Sequence, residues 1–188
     1  MPSALSHPAV PLALALALGS RRVPGRLLLA GVVAAVLPDA DALGFRLGIP
    51  YESGLGHRGA SHSLLIAAAL GGVAALMAPM LRCRRAHAAL FVAVCAASHG
   101  LLDMATNGGH GVALWWPFSE ERLWWPERPI EASPISLRRF FSDRGLAVML
   151  SEWRWIWMPA LLVGLAGWMS RRWLDRGPSG PSISRGVP

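Results

Sequence analysis

Apolar residues fall in runs separated by short polar connections. The runs cover roughly 8–20, 26–37, 63–81, 86–102 and 155–170. Segment 63–81 approaches the ~20 residues that cross a bilayer as a helix. Segment 86–102 is slightly shorter. Segment 155–170 carries Trp153, Trp155 and Trp173 at its edges as interfacial anchors, with Pro159 in its first turns. The first two runs hold fewer apolar residues. Leu and Ala alternate over 12–18, but both are apolar, so this is not the pattern of a half-buried strand. A helical hairpin turning at Arg21–Arg26, broken by Pro24 and Gly25, is the expectation. The predicted fold is all-α: a membrane-embedded bundle of about five helices in one domain, 1–176. The stretch 38–60 reads as a polar loop, and 104–152 as a long extracytoplasmic loop or lid. Residues 177–188 read as a disordered tail.

The polar positions are sorted by end. His7, Asp39, Asp41, His57, His62, His99 and Asp103 lie at one set of run ends. Arg21, Arg22 and Arg26 lie in one alternate connection, and Arg82, Arg84 and Arg85 in the next. A chain that snakes back and forth gathers the His and Asp residues on one face, where they can build a polynuclear metal site. The arginine face is then cytoplasmic, together with Arg171, Arg172 and Arg176. The His/Asp face is extracytoplasmic.

Composition agrees. Hydrophobic residues make up 53% and charged residues 15%, and the mean hydropathy is +0.40. The net charge of +7 comes from arginine with no lysine. The arginines cluster at the ends of apolar runs, which argues against nucleic-acid binding. Cys83 and Cys95 would lie about 18 Å apart along a helix, beyond disulfide reach. No Lys or Arg precedes the run 9–19, so it reads as a first helix and not a signal peptide.

Several local patterns carry metal chemistry. His99 and Asp103, at spacing i, i+4, share a helix face. Asp39 and Asp41 in PDAD follow an apolar run and present two carboxylates to a cation. In GHRGASHS, His57 and His62 flank Arg58, which is suited to hold a phosphate or carboxylate, and Ser61 reads as a helix N-cap. His7 precedes Pro8, which suits a helix start. His87 and His110 are expected to stay outside the site, and Glu152 is a reserve ligand. The donor set suits Zn2+, with Mn2+ or Fe as alternatives.

The SHP histidine near the start, LPDAD, GHRGASHSLL, SHGLLDMATNGG with WWPFS, and RPIEASPI with SEWRW together resemble the bacterial membrane-bound metal-dependent hydrolase family, the YdjM-like proteins. The resemblance spans most of residues 5–165. It implies an inner-membrane protein with a divalent metal centre. The chain is also similar, more weakly, to bacterial zinc phospholipase C: His7, Asp39 or Asp41, His62, and His99 with Asp103 fit that order. A second downstream HxxxE pair is missing.

The expected function is hydrolysis of a lipid or lipid-linked phosphoester by a metal-activated water. Asp41 or Asp39 would serve as general base, and Arg58 would hold the substrate phosphate. Membrane lipids are the expected partners. The alternative is a non-enzymatic, metal-stabilised scaffold or regulator of envelope composition. A transporter is disfavoured because no polar group interrupts 63–81.

Overall fold

The computed structural model describes residues 1–134 and 136–175, so the tail 177–188 lies outside the described residues. Helix α1 (Ala9–Leu18) starts behind Pro8 and ends at Gly19, whose φ of 81° reverses the chain. Helix α2 (Gly25–Val36) follows Pro24. Helix α3 (Leu64–Leu76) is followed by the single turn α4 (Ala78–Leu81) and the long α5 (Arg85–Met104). The chain then runs irregularly to α6 (Leu137–Phe140), α7 (Asp143–Glu152) and α8 (Met158–Asp175). No strand forms among the described residues; two isolated bridges, Thr106 with Ile130 and Val112 with Leu123, tie the long connection together.

Helix α5 is central, with α2 and α3 packed along it, while α1 packs against α8 and touches α2. Three stretches are long and apolar enough to cross a membrane: Gly25–Leu47, Arg85–Met104 and Asp143–Asp175. The first and third outrun their predicted limits. Pro38 needs no hydrogen-bond donor at the start of a helix, so a 3-10 helix continues from α2 over Leu37–Leu47. The polar loop expected from residue 38 therefore begins after Gly48. The connection expected over 104–152 likewise contains α7, whose Gly145, Val148 and Glu152 are buried on one side. A π-helical turn, Trp153–Trp157, joins α7 to α8. It sits where Pro159 removes a backbone donor.

The expected span 63–81 is divided. α3 ends at Met77, and Pro79 starts the next turn, because an interior proline would cost a hydrogen bond and clash. Ser63 caps α3 by accepting from the Ile66 N–H at 3.2 Å, displacing Ser61 from that predicted role. At 10 residues for α1 and 13 for α3, these helices are about 15 and 20 Å long, short of a ~30 Å hydrocarbon core.

Small residues set the helix spacing. A Cβ on Gly71 of α3 would lie 2.6 Å from the Ala89 carbonyl of α5. Such close approach lets helices associate in lipid through van der Waals packing. The core around it comprises Leu27, Ala35, Ala74, Ala88, Phe91, Val92 and Cys95. Cys83 and Cys95 are both free thiols.

Candidate metal centre

The alternating helices bring one set of ends together. His7 lies just before Pro8, the N-cap of α1, and Asp39 lies in the first turn of the 3-10 helix that follows α2. His62 closes a short turn before α3, and His99 and Asp103 lie near the end of α5. A Cβ on Gly100 would sit 2.8 Å from the His62 carbonyl, so glycine beside His99 permits the approach. Ligand atoms of Asp39, His62, His99 and Asp103 all lie within 4.8 Å of one another. His62 Nε2 is 3.0 Å from His99 Nε2 and 3.4 Å from Asp103 Oδ2. His99 Nε2 is 3.4 Å from Asp39 Oδ1. Tetrahedral ligands about 2.0–2.2 Å from Zn2+ are separated by about 3.3 Å, close to these spacings.

The protons point the same way. His99 Nδ1 lies 2.7 Å from the Ala35 carbonyl, which can only accept, so Nδ1 donates and Nε2 keeps a lone pair when the ring is neutral. His62 Nδ1 lies 3.2 Å from Asp41 Oδ2, which orients Nε2 inwards in the same way. The 3.0 Å approach of these two nitrogens is bridged either by a proton on His62 or by a metal ion in that proton's place. Burial lowers the His62 imidazole's pKa, but Asp103 and Asp41 more than reverse this, raising it to about 9. Burial brings His7 down to about 3, so its ring is neutral at pH 7. Both oxygens of Asp39 and of Asp103, and both nitrogens of His7, are buried without a hydrogen bond of proper geometry. Buried polar atoms are rarely left so, and a divalent ion would satisfy them.

The sequence profile of the family described as YdjM inner membrane protein matches residues 1–174. The chain belongs to that family. It is also 41% identical over 178 residues to the inner membrane protein YbcI of Escherichia coli (strain K12), covering 91% of this chain and all of that protein. No solved structure matches it.

In this YdjM-family chain, Asp41, His57 and Arg58 stand one step behind the four-residue group. Asp41 Oδ1 is 2.5 Å from His57 Nδ1. Its Oδ2 accepts from Ser61 Oγ at 2.5 Å and from the Arg58 N–H at 3.1 Å. Arg58 is 1% exposed. Its Nε lies 2.9 Å from Asp103 Oδ2, while its terminal nitrogens donate to Thr106 Oγ1 at 3.0 Å and the Gly108 carbonyl at 2.9 Å. The guanidinium thus holds Asp103 and the start of the following loop. His87 lies in the first turn of α5 at the arginine end. His110 pairs with Glu52 at 3.1 Å, away from the group.

Glu152 is fully buried, and its carboxylate accepts from the Ser3 N–H, Ser3 Oγ and Ser6 Oγ. It clamps the segment that carries His7 to α7. Sequence reasoning named Glu152 as a reserve ligand but missed Ser3 and Ser6, which have no distinguishing local pattern. It also missed Arg122, whose guanidinium donates to the carbonyls of Tyr51, Ser53 and His57 and so braces the loop bearing His57 and Arg58. Arg122 lies in the long connection, whose Arg144 pairs with Glu131 at 2.7 Å.

Proposed function

We propose that this YdjM-family protein is a metal-dependent hydrolase of a lipid or lipid-linked phosphoester. The supporting observation is the set of imidazole nitrogens and buried carboxylate oxygens, without hydrogen bonds of proper geometry, that converge from Asp39, His62, His99 and Asp103. A divalent ion held there, most simply Zn2+ with Mn2+ or Fe as alternatives, supplies an activated water near neutral pH. His57 lines a cavity of about 400 Å3 together with Leu5, Ala42, Pro134, Phe140 and Phe141. Its apolar walls suit an acyl or polyprenyl chain. Asp41 fixes the His57 ring, which makes His57 the group placed to move a proton, with Asp41 as its orienting partner. Arg58 keeps Asp103 in position. In the reaction, water would give a proton to His57 as it adds to phosphorus, the bond to the leaving alcohol would break, and His57 would return the proton to that alcohol.

The site belongs on the extracytoplasmic face in this reading. The exposed arginines Arg21, Arg22, Arg82, Arg84 and Arg85 support assigning the opposite end to the cytoplasm. Exposed Trp115, Phe118, Trp124, Trp125 and Trp153 suit a headgroup layer. A reporter fused at the C-terminus should be cytoplasmic. The decisive test is metal content of purified protein with headgroup release from phospholipids and polyprenyl phosphates. His62→Ala and Asp103→Ala should lose metal and turnover together. Full metal content in both variants would overturn the ligand set. Metal without turnover in the wild type would favour a metal-stabilised scaffold.

A further inference from the structure

We infer that the centre holds two divalent ions, bridged by the carboxylates of Asp39 and Asp103. This rests on the metal-binding part of the proposal above, not on the hydrolase reading. One ion belongs to His62 and His99, and the other to His7.

The two carboxylates divide their oxygens. Asp39 Oδ1 lies 3.4 Å from His99 Nε2, while Asp39 Oδ2 lies 3.8 Å from His7 Nε2. Asp103 Oδ2 lies 3.4 Å from His62 Nε2, while Asp103 Oδ1 lies 3.8 Å from His7 Nε2. One oxygen of each therefore faces the His62–His99 pair and the other faces His7. An ion at the first position alone leaves Asp39 Oδ2, Asp103 Oδ1 and His7 Nε2 gathered and buried without partners. His7 itself is 0% exposed, so water does not satisfy it from outside.

The rings give the spacing. His7 and His99 are stacked, with centroids 3.7 Å apart and planes within 17° of parallel. Both direct Nε2 towards Asp39. Nearly parallel lone pairs from stacked rings aim at separate points about one ring spacing apart. That spacing falls within the roughly 3.5–4 Å of two-metal sites. The charge identifies the ligand class. Two divalent ions exceed the combined charge of Asp39, Asp103 and Arg58 by a wide margin, so the centre favours an anionic group that spans both ions. A phosphate ester has that chemistry.

The test loads metal-free full-length protein in detergent with Mn2+ and reads bound ions per chain together with the electron paramagnetic resonance spectrum. Wild type should bind two ions per chain, with a spin-coupled spectrum. His7→Ala and His7→Gln should bind one, with an isolated Mn2+ signal and unchanged helical circular dichroism. A single uncoupled ion in saturated wild type overturns the inference, whether or not the variants fold. So does a folded His7 variant that retains the coupled pair or loses both ions. Two coupled ions in a protein inert towards every phosphoester would leave the inference standing and remove the hydrolase reading.

Discussion

Arg58 and Arg82 share a backbone conformation and almost nothing else. Their φ angles are 63° and 59°, both in the left-handed region that non-glycine residues enter at a cost. Arg82 sits at the arginine end of the bundle, exposed, where it terminates α4 as a left-handed C-cap. Arg58 sits at the opposite end, buried, with its side chain on Asp103 and its backbone on Asp41 and Ala113. The first conformation ends a helix and glycine would serve as well. The second is held by the surrounding contacts and aims a guanidinium at a carboxylate that no other cation among the described residues reaches so closely. The two ends differ in the same way throughout. At the arginine end, charge faces solvent, and Arg26 and Arg171 donate to the Met80 and Leu16 carbonyls. At the other end, charge is buried and must be matched.

The contrast is broken most severely by Asp103→Ala, which leaves Arg58 buried without its partner. We expect a loss of about 3–5 kcal/mol in denaturant unfolding, against less than about 0.5 kcal/mol for Arg84→Ala at the exposed end. Similar losses for both would mean that the buried network carries no special weight. Metal removal comes next. With free ion at 100 to 1,000 times its Kd, chelation should lower stability by about 2.7–4.1 kcal/mol. The shift should persist in Arg84→Ala and vanish in Asp103→Ala, read as chelator-dependent unfolding midpoints.

Asp41→Asn tests whether orientation behind the centre matters. It keeps the volume but weakens the hold on the His57 and His62 rings, and metal affinity should fall about 10- to 100-fold in a competition titration. Unchanged affinity would remove Asp41 from the positioning set. The smallest effect is expected at Arg82. Arg82→Gly should change stability by no more than about 1 kcal/mol and in the favourable direction, because the left-handed strain is relieved. A clear destabilisation would show that the Arg82 side chain has a role the exposed cap does not explain.

Much of this was legible in the chain. The apolar runs and their arginine-bearing turns gave the alternation of helices, because turn chemistry and helix periodicity are local. That alternation was enough to predict which chain ends meet, and so to collect His7, Asp39, Asp41, His57, His62, His99 and Asp103 as candidates, of which Asp41 and His57 stand behind the others. Helix limits were less legible. Pro38 reads as a boundary and Pro159 as a first-turn residue, yet Pro38 lies in a 3-10 helix that continues α2, and a π-helical turn joins α7 to α8 just before Pro159. Proline forbids one hydrogen bond, and neighbouring geometry decides whether the chain stops or adjusts.

The sequence by itself determined the inventory and its sidedness: a bundle of apolar helices with imidazoles and carboxylates at one set of ends and arginines at the other. Only the tertiary structure decided the order within that inventory. It placed Asp41 behind His62, turned Arg58 onto Asp103, tied Glu152 to Ser3 and Ser6, and stacked His7 on His99. Those choices depend on distances of 3–4 Å between elements far apart in the chain. Helix packing sets such distances, and no local pattern of residues records them.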